Sequence, residues 1–286
     1  MHIEPFFDER TSTLTYVVHD EATKDAVVID PVHDFEPAGG RVWAESLEKV
    51  SQFITSSGLA LHWVLETHVH ADHLTGSEWL KKRFGAKVAI SKRVTEVQTV
   101  FQGVLDLRDL KTDGSQFDRL LADGEVLRAG SLEVKVLATP GHTPACSSFV
   151  VGDAVFTGDA LFLDDIGVGR CDFPKGDAAA LYDSVTRKLW VLPDSTRVFT
   201  GHDYPPASRT WRASTTVGAS KRTNAQLNVE LTREEFIERR TARDRGLQAP
   251  RLLYPSVQIN VDAGRLPMPV LGGQRFLKIP VAETGA

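Results

Sequence analysis

Cysteine is scarce in this 286-residue chain, which contains only Cys146 and Cys171. Two cysteines in a chain of this size do not make a framework of disulfide bonds, so a reducing cytoplasm is the expected compartment. The sequence also lacks an apolar run near the ~20 residues of a membrane span, and its first residues lack the basic and apolar regions of a signal peptide. These absences predict a cytoplasmic protein that does not enter a membrane.

An excess of positive charge is also missing, since 33 basic residues stand against 38 acidic ones and the formal net charge is -5. A protein that binds nucleic acid is expected to carry a basic surface, and nothing in the composition indicates one. Hydrophobic residues make up 42% of the chain and charged residues 25%, which is ordinary for a globular protein with a sizeable core. The composition therefore predicts a globular protein that does not bind nucleic acid.

Short apolar segments alternate with amphipathic ones along most of the chain. We predict strands over residues 14–18, 25–30, 61–67, 87–91, 132–139, 153–159 and 196–204. We predict helices over residues 41–58, 76–85, 94–101, 176–193 and 231–240. The first helix would carry Trp43 and Leu47 on one face, and the last would begin at a capping box of Thr232 and Glu235. The alternation predicts an α/β protein, with a proline- and glycine-rich tail of weak periodicity.

The segment LETHVHADHLTG, residues 65–76, holds three of the nine histidines of the chain, His68, His70 and His73, with Asp72 among them. Imidazoles repel one another when protonated and are costly to bury without partners, and a bound cation removes both costs. Residues one and two apart do not share a helix face, so this spacing predicts a loop whose side chains converge on one point. A polar surface loop with unrelated histidines is the alternative.

Three further residues of the same chemical kinds follow later strand-like segments. His142 lies in TPGHTP, Asp159 ends the segment DAVFTGD, and His202 lies in TGHDY. Sheets of α/β proteins place ligand sites beyond the ends of their strands, so we expect these side chains to meet the first four. Imidazole and carboxylate groups together predict a metal centre.

The motifs THVHADH, TPGHTP, FTGDA and GHDY stand in the order found in the metallo-β-lactamase superfamily, which the chain resembles over about residues 1–210. A finer resemblance is to the persulfide dioxygenases, and it rests on IDPV, THVHADHLTGSEWL, TPGHTPACSSFV, VFTGDALF, GRCDFP and GHDY, extended by TNAQL and LTREEF. The resemblance implies one domain over residues 1–286 with a four-layer αββα sandwich. Its core would cover about residues 1–210, and a C-terminal extension about residues 211–286.

The same resemblance implies one iron(II) per chain, with His68, His142 and Asp159 as its ligands. Two histidines and one carboxylate form a facial triad, which leaves three positions of an octahedral iron open. The four other candidate ligands would act catalytically around the metal, holding ligand tautomers or bonding to reactants: His70, Asp72, His73 and His202.

Three residues are expected at the substrate, namely Arg170, Tyr204 and Arg222. Arg170, in GRCDFP, can clamp a carboxylate with two parallel hydrogen bonds, whereas an ordinary surface arginine is the alternative. The solvated-surface alternative is stronger still for Arg222 and its neighbour Lys221. Val168 stands where some relatives carry a cysteine, and Cys146 and Cys171 are expected to be packing residues.

The family reaction would oxidise glutathione persulfide with O2 to sulfite and glutathione, in a protein that is expected to form a homodimer. One alternative is a hydrolase of thioesters with two zinc ions, like glyoxalase II, since all seven ligands of such a site are present. Another is a metal-binding module without catalysis. Ligand types alone do not distinguish iron from zinc, so metal content is the observation that separates the first two readings.

Overall fold

The computed structural model describes residues 1–281 and 283. Its strands are β1 (His2–Asp8), β2 (Thr13–His19), β3 (Asp25–Ile29), β4 (Val32–Glu36), β5 (Arg41–Trp43), β6 (Ala60–Leu65), β7 (Leu74–Thr75), β8 (Lys87–Ser91), β9 (Arg119–Leu121), β10 (Val126–Ala129), β11 (Leu132–Ala138), β12 (Ser147–Val151), β13 (Ala154–Phe156), β14 (Arg197–Phe199) and β15 (Ser214–Thr216). Its helices are α1 (Glu45–Ser56), α2 (Ser77–Phe84), α3 (Val94–Val104), α4 (Ala178–Ser184), α5 (Val217–Thr223), α6 (Arg233–Asp244) and α7 (Leu253–Asn260), and a π-helical turn, Val185–Leu189, prolongs α4.

The strands form two six-stranded sheets and one small sheet. The first sheet has the order β1-β2-β3-β6-β8-β9, and its last four strands are parallel. The second has the order β10-β11-β12-β13-β14-β15, with one parallel pair, β13 and β14. The small sheet has the order β5-β4-β7, and its strand β7 comes from the segment just before α2.

The two large sheets pack face to face through side chains that alternate along their strands. In β11, Leu132, Val134 and Val136 are buried while Glu133 and Lys135 are exposed, as a strand period of two requires. The buried three meet Leu14, Tyr16 and Val18 of β2 in one apolar cluster. This cluster forms the central core of the molecule. Burial of its apolar surface stabilises the fold by about 25 cal/mol for each Å².

Helices cover the outer face of each large sheet. One cluster joins the first sheet to α1, α2, α3 and α7 through residues such as Leu47, Leu80, Val97 and Val257. A second joins Val155 and Val198 of the other sheet to α4, α5 and α6. The order helix, sheet, sheet, helix is the αββα sandwich predicted from the sequence.

The structure contains strands that the sequence analysis did not predict, such as β1, β9 and β12, and two further differences concern helices α1 and α7. Trp43 lies in β5, and α1 starts only at Glu45. The pairing of Trp43 with Asp34 of β4 holds it outside the helix, and the Arg10 guanidinium lies 5.2 Å from the centroid of its ring. Helix α7 was not predicted, because six of its eight residues are buried, so no polar face marks its period. Strand β15 and helices α5 to α7 all fall in the predicted C-terminal extension, of which residues 282 and 284–286 lie outside the described part.

Of the helices in the described ranges, none is long and apolar enough to span a bilayer.

Candidate metal centre

The predicted metal ligands lie in four loops, each of which follows a strand. His68 follows β6, His142 follows β11, Asp159 follows β13, and His202 follows β14. Asp159 Oδ2 lies 3.6 Å from His142 Nε2 and 4.0 Å from His68 Nε2. The three ligand atoms of His68, His142 and Asp159 all lie within 4.8 Å of one another, which is the spacing needed to hold one ion.

Hydrogen bonds fix both of these histidines with Nε2 free. His142 Nδ1 donates to the carbonyl oxygen of Arg170 at 2.7 Å. His68 Nδ1 donates to Thr67 Oγ1 at 3.0 Å, because the Thr67 hydroxyl itself donates to Asp30 at 2.8 Å. Each imidazole therefore directs an Nε2 lone pair at Asp159, and a metal is bound by such lone pairs.

Two atoms of this triad are buried without a hydrogen-bond partner in the described structure, His68 Nε2 and Asp159 Oδ1. An unpartnered buried polar atom costs about 1–3 kcal/mol, and a bound cation removes that cost. Burial, assisted by the neighbouring His70, also holds the pKa of His68 well below its ordinary value. His68 is thus neutral at pH 7, the form that binds a metal. The donor set fits one divalent metal ion.

A second group of donors adjoins the first. His70, Asp72 and His73 also offer ligand atoms within 4.8 Å of one another. His202 joins the two groups, since its Nε2 lies 3.4 Å from a carboxylate oxygen of Asp72 and 3.4 Å from one of Asp159. All seven candidate ligands predicted from the sequence are therefore brought into one centre. The geometry is compatible with one metal ion or with two.

A buried acidic pair, Asp30 and Glu66, lies against the histidine loop, and the sequence analysis assigned it no role. Asp30 and Glu66 flank His70, whose Nε2 lies 3.1 Å from Asp30 Oδ1 and 3.9 Å from Glu66 Oε2. Burial, and then the charge of Asp30, raise the pKa of Glu66 to about 7. Thr75 and Ser77 donate to Glu66. A glutamate directly after an apolar strand was the only sequence signal for this pair.

The C-terminal helix α7 also reaches the histidine loop. Asn260, at its last position, donates through Nδ2 to the carbonyl oxygens of His70 at 2.9 Å and His73 at 2.8 Å. Its Oδ1 accepts the backbone N–H of Thr75 at 2.8 Å. All of these groups are buried, so one side chain satisfies three backbone groups that water does not reach. Asn260 therefore fixes the loop that carries the second group of donors.

Gly158, next to Asp159, has to be a glycine for two reasons. Its φ is +50°, and a Cβ there would lie 2.4 Å from Thr67 Oγ1, the acceptor of the His68 hydrogen bond. Gly124 has a φ of +78° but open space around the position of its missing Cβ. The two glycines thus share a left-handed backbone and differ in crowding.

We expect Gly158→Ala to lower the free energy of unfolding by more than Gly124→Ala does. Left-handed strain costs each variant about 1–2 kcal/mol. The clash with Thr67 adds about 1–3 kcal/mol at Gly158 alone. Displacing Thr67 also frees the His68 ring, so metal binding should weaken about tenfold in that variant only. Urea titration and metal analysis check both effects, and equal results for the two variants would contradict the role of Gly158.

A cavity of about 310 Å³ opens over the centre, and its floor includes Asp72, His142, Asp159 and His202. Tyr204 lies in its wall, half exposed, with its ring stacked on that of His202 at 5.5 Å between centroids. The structure therefore brings Tyr204 to the centre, where the sequence analysis expected it.

Arg170 also lines this cavity, but its guanidinium is already engaged. Nε and Nη2 each donate to Asp172 at 2.6 Å, and Nη1 donates to the carbonyl oxygen of Gln248 at 2.8 Å. The two-pronged edge expected to clamp a substrate carboxylate is thus occupied by Asp172. The two residues are only two positions apart, but spacing within an irregular loop does not predict such a contact.

The structure does not bring Arg222 to the centre. It is exposed on α5 beside Asp194, and it lines neither of the two cavities that contain Asp159. Asp194 precedes β14, whereas His202 follows it, so Arg222 lies at the opposite end of that strand. Arg222 was expected to contact substrate, but its placement differs from that expectation. Strand β15 runs antiparallel to β14, so α5 begins at the end of this strand pair that lies away from His202.

The thiols of the two cysteines are not in the reactive thiolate form. Burial raises the pKa of Cys146 to about 12, and burial also raises the pKa of Cys171. Both stay protonated at neutral pH, and neither forms a disulfide. Val168 is buried and lies in the same apolar cluster as Cys171.

Comparison with known proteins gives one family. A family model described as the metallo-beta-lactamase superfamily matches residues 9–202. The chain is 44% identical over 280 residues to the beta-lactamase hydrolase-like protein of Agrobacterium fabrum, an alignment that covers 98% of this chain but only 64% of that protein. It is 41% identical over 282 residues to glyoxylase B2 of Dictyostelium discoideum, covering 98% and 96% of the two chains.

One further relative and one solved structure are named ETHE1 and not as a hydrolase or glyoxylase. The mitochondrial persulfide dioxygenase ETHE1 of Mus musculus is 30% identical over 264 residues, covering 92% of this chain and 88% of that protein. The crystal structure of ETHE1 from Myxococcus xanthus superposes with a TM-score of 0.75 at 37% identity, covering 93% of this chain and all of that one. The four-layer fold is confirmed by this likeness.

Proposed function

The chain belongs to the metallo-beta-lactamase superfamily and, within it, to the persulfide dioxygenase family, and on that premise we propose that it oxidises glutathione persulfide with O2, using one iron(II). Membership of this family supports an enzyme with a metal centre. The identity of the metal and of the substrate are what we propose. The products are sulfite and glutathione.

The proposal rests above all on the free Nε2 atoms of His68 and His142 and the carboxylate of Asp159. Two imidazoles and one carboxylate on one side of an ion are the facial triad of non-haem iron oxygenases. The hydrogen bonds of His68 and His142 at Nδ1 keep both rings in the ligating tautomer. The cavity over the triad leaves room for the substrate sulfur and O2 on the same side.

The reaction balances without a further reductant. One persulfide, one O2 and one water give one thiol, one sulfite and two protons. The terminal sulfur is oxidised, the S–S bond breaks, and the thiol sulfur leaves with a proton. Iron(II), when bound, supplies the redox chemistry by which O2 reacts with the sulfur atom.

Protein groups beside the triad can accept the released protons. His202 Nδ1 lies 3.2 Å from the carbonyl oxygen of Ser12 and donates to it, so its Nε2 carries the lone pair and faces the cavity floor. Asp72 Oδ2 lies 3.4 Å from that nitrogen, so the two groups face each other at the cavity floor. The Tyr204 ring covers one side of His202 and limits the access of water there.

A zinc-dependent thioester hydrolase is the second candidate, because His70, Asp72 and His73 form a second group of donors. The 41% identity to glyoxylase B2 supports this alternative. A zinc pair would supply a hydroxide that attacks the thioester carbonyl.

Oxygen uptake tests the proposed reaction. Protein loaded anaerobically with iron(II) is mixed with glutathione persulfide in an oxygen electrode, and sulfite is measured in the same sample. We expect one sulfite for each O2 consumed, well above the rate with the same iron and no protein. A rate equal to that of the protein-free control would exclude the dioxygenase.

A further inference from the structure

A second cavity continues from the one over the metal centre. It has a volume of about 480 Å³ and shares Asp159, Arg170 and Tyr204 with the first. Apolar side chains such as Phe162 and Val168 form part of its wall. The two cavities therefore extend from one reacting centre, with Arg170 between them, and a substrate with two arms can occupy both.

Five arginines line these two cavities, and three of them are held by carboxylates. Arg10 is held by Asp34 and Glu45, Arg170 by Asp172, and Arg240 by Asp244. A guanidinium that already has a carboxylate partner gains little from a second one, since its charge is compensated. These three arginines therefore shape the cavities, and they are poor sites for a substrate anion.

The two other arginines differ, because within residues 1–281 neither takes part in an ion pair. Arg251 lines the first cavity and Arg243 lines the second, and both side chains are exposed. Glu36 is near enough to feel the charge of Arg251, but its two oxygens accept backbone N–H groups of Ala38 and Gly39. Each cavity thus contains one guanidinium whose hydrogen-bonding edge is not occupied by a carboxylate.

We propose that Arg243 and Arg251 together recognise a thiol carrier that has two carboxylates, one carboxylate in each cavity. This inference rests on the proposed function, which makes glutathione the carrier, and it replaces Arg170 as the substrate clamp. Glutathione has a glycine carboxylate at one end and a γ-glutamyl carboxylate at the other, with its sulfur between them. The arrangement matches one centre flanked by two cationic cavities.

Electrostatics also orient such a carrier. A metal ion held by the triad would offset the charge of Asp159, but the floor of the first cavity also carries the carboxylate of Asp72, which repels substrate carboxylates. The guanidiniums of Arg243 and Arg251 attract them away from the floor, so the sulfur is the group left to face the triad. A small persulfide without remote carboxylates would lack this orientation and bind more weakly.

Calorimetric binding tests the inference without relying on turnover. Iron(II)-loaded protein is titrated anaerobically with glutathione, with its glycine ethyl ester, and with N-acetylcysteinylglycine, which lacks the γ-glutamyl carboxylate. We expect Arg243→Ala and Arg251→Ala each to weaken glutathione binding about tenfold, the effect of one charge-assisted hydrogen bond at an exposed site. Arg245→Ala, an exposed arginine next to α6 that lines neither cavity, is the matched control and should bind like the wild type.

The two truncated ligands identify which arginine binds which carboxylate of glutathione. Each truncated ligand should bind the wild type about tenfold more weakly than glutathione does. For each of them, the variant that lacks the arginine paired with the missing carboxylate should show no further loss of affinity. Affinities of both variants within twofold of the wild type would overturn the inference, as would an absence of glutathione binding to the wild type. If this pattern holds while no O2 is consumed, the recognition site stands and the proposed reaction fails.

Discussion

His68→Ala, His142→Ala and Asp159→Ala are each expected to lose the bound iron and, with it, oxygen uptake. The three ligand atoms lie within 4.8 Å of one another, and a facial triad has no spare protein ligand. Losing a group that only supports a ligand weakens metal binding about 10- to 100-fold, so losing a ligand itself should exceed that. Metal analysis after dialysis and an oxygen electrode measure both losses.

His73→Ala and His202→Ala are the matched controls for the triad variants. Both remove a buried imidazole from the same centre, but neither residue belongs to the triad. We expect most of the iron to remain while turnover falls, by about a hundredfold at His202 if it accepts a proton in the reaction. Iron loss in His73→Ala or His202→Ala equal to that in His68→Ala would show that the metal uses donors outside the triad.

Asn260→Ala is expected to have the second-largest effect, on stability and on the metal together. The change leaves the carbonyl groups of His70 and His73 and the N–H group of Thr75 buried without partners. At about 1–3 kcal/mol for each group, the free energy of unfolding should fall by about 3 kcal/mol or more. Because the released loop carries Asp72 and His73, turnover should fall as well. Urea titration and oxygen uptake at a temperature where the variant stays folded separate the two effects.

Gln258→Ala is the control for this prediction. Gln258 lies on the same helix, is also buried, and makes three hydrogen bonds of the same kind, to Tyr254 and to two backbone groups of Lys278. It should destabilise the protein without changing turnover per bound iron, because none of its partners belongs to the metal centre. Equal loss of turnover in both variants would mean that Asn260 acts only through overall stability.

The meeting of the candidate ligands could be predicted from the sequence because each group of them follows a strand-like segment. His68, His142, Asp159 and His202 are placed by local geometry, since a strand end brings the next residues to the sheet edge. The alternation of strands and helices predicted an α/β protein, and the resemblance to the superfamily implied its four layers. The motifs around these residues then predicted the family, which the comparisons confirmed.

Contacts between distant parts of the chain could not be predicted in this way. Asn260 lies 190 residues from His70 in the sequence, on a helix that shows no polar face because it is buried. The pairing of Arg170 with Asp172 depends on side-chain direction in an irregular loop, which no periodicity reports. Arg243 and Arg251 differ from other arginines only in what the folded chain leaves unpaired around them. These features arise from tertiary packing, on which composition and spacing carry no signal.

The central claim, that one iron and its open positions perform the reaction, is tested most directly by exchanging the metal. The same apoprotein is loaded with iron(II) in one sample and zinc in another, and each is given glutathione persulfide in an oxygen electrode and lactoylglutathione in a thioester assay. Zinc has no redox chemistry, so the zinc form should consume no O2, whereas the iron form should consume O2 and release sulfite. Rapid thioester cleavage by the zinc form, together with an iron form that consumes no O2, would contradict the dioxygenase and favour the hydrolase.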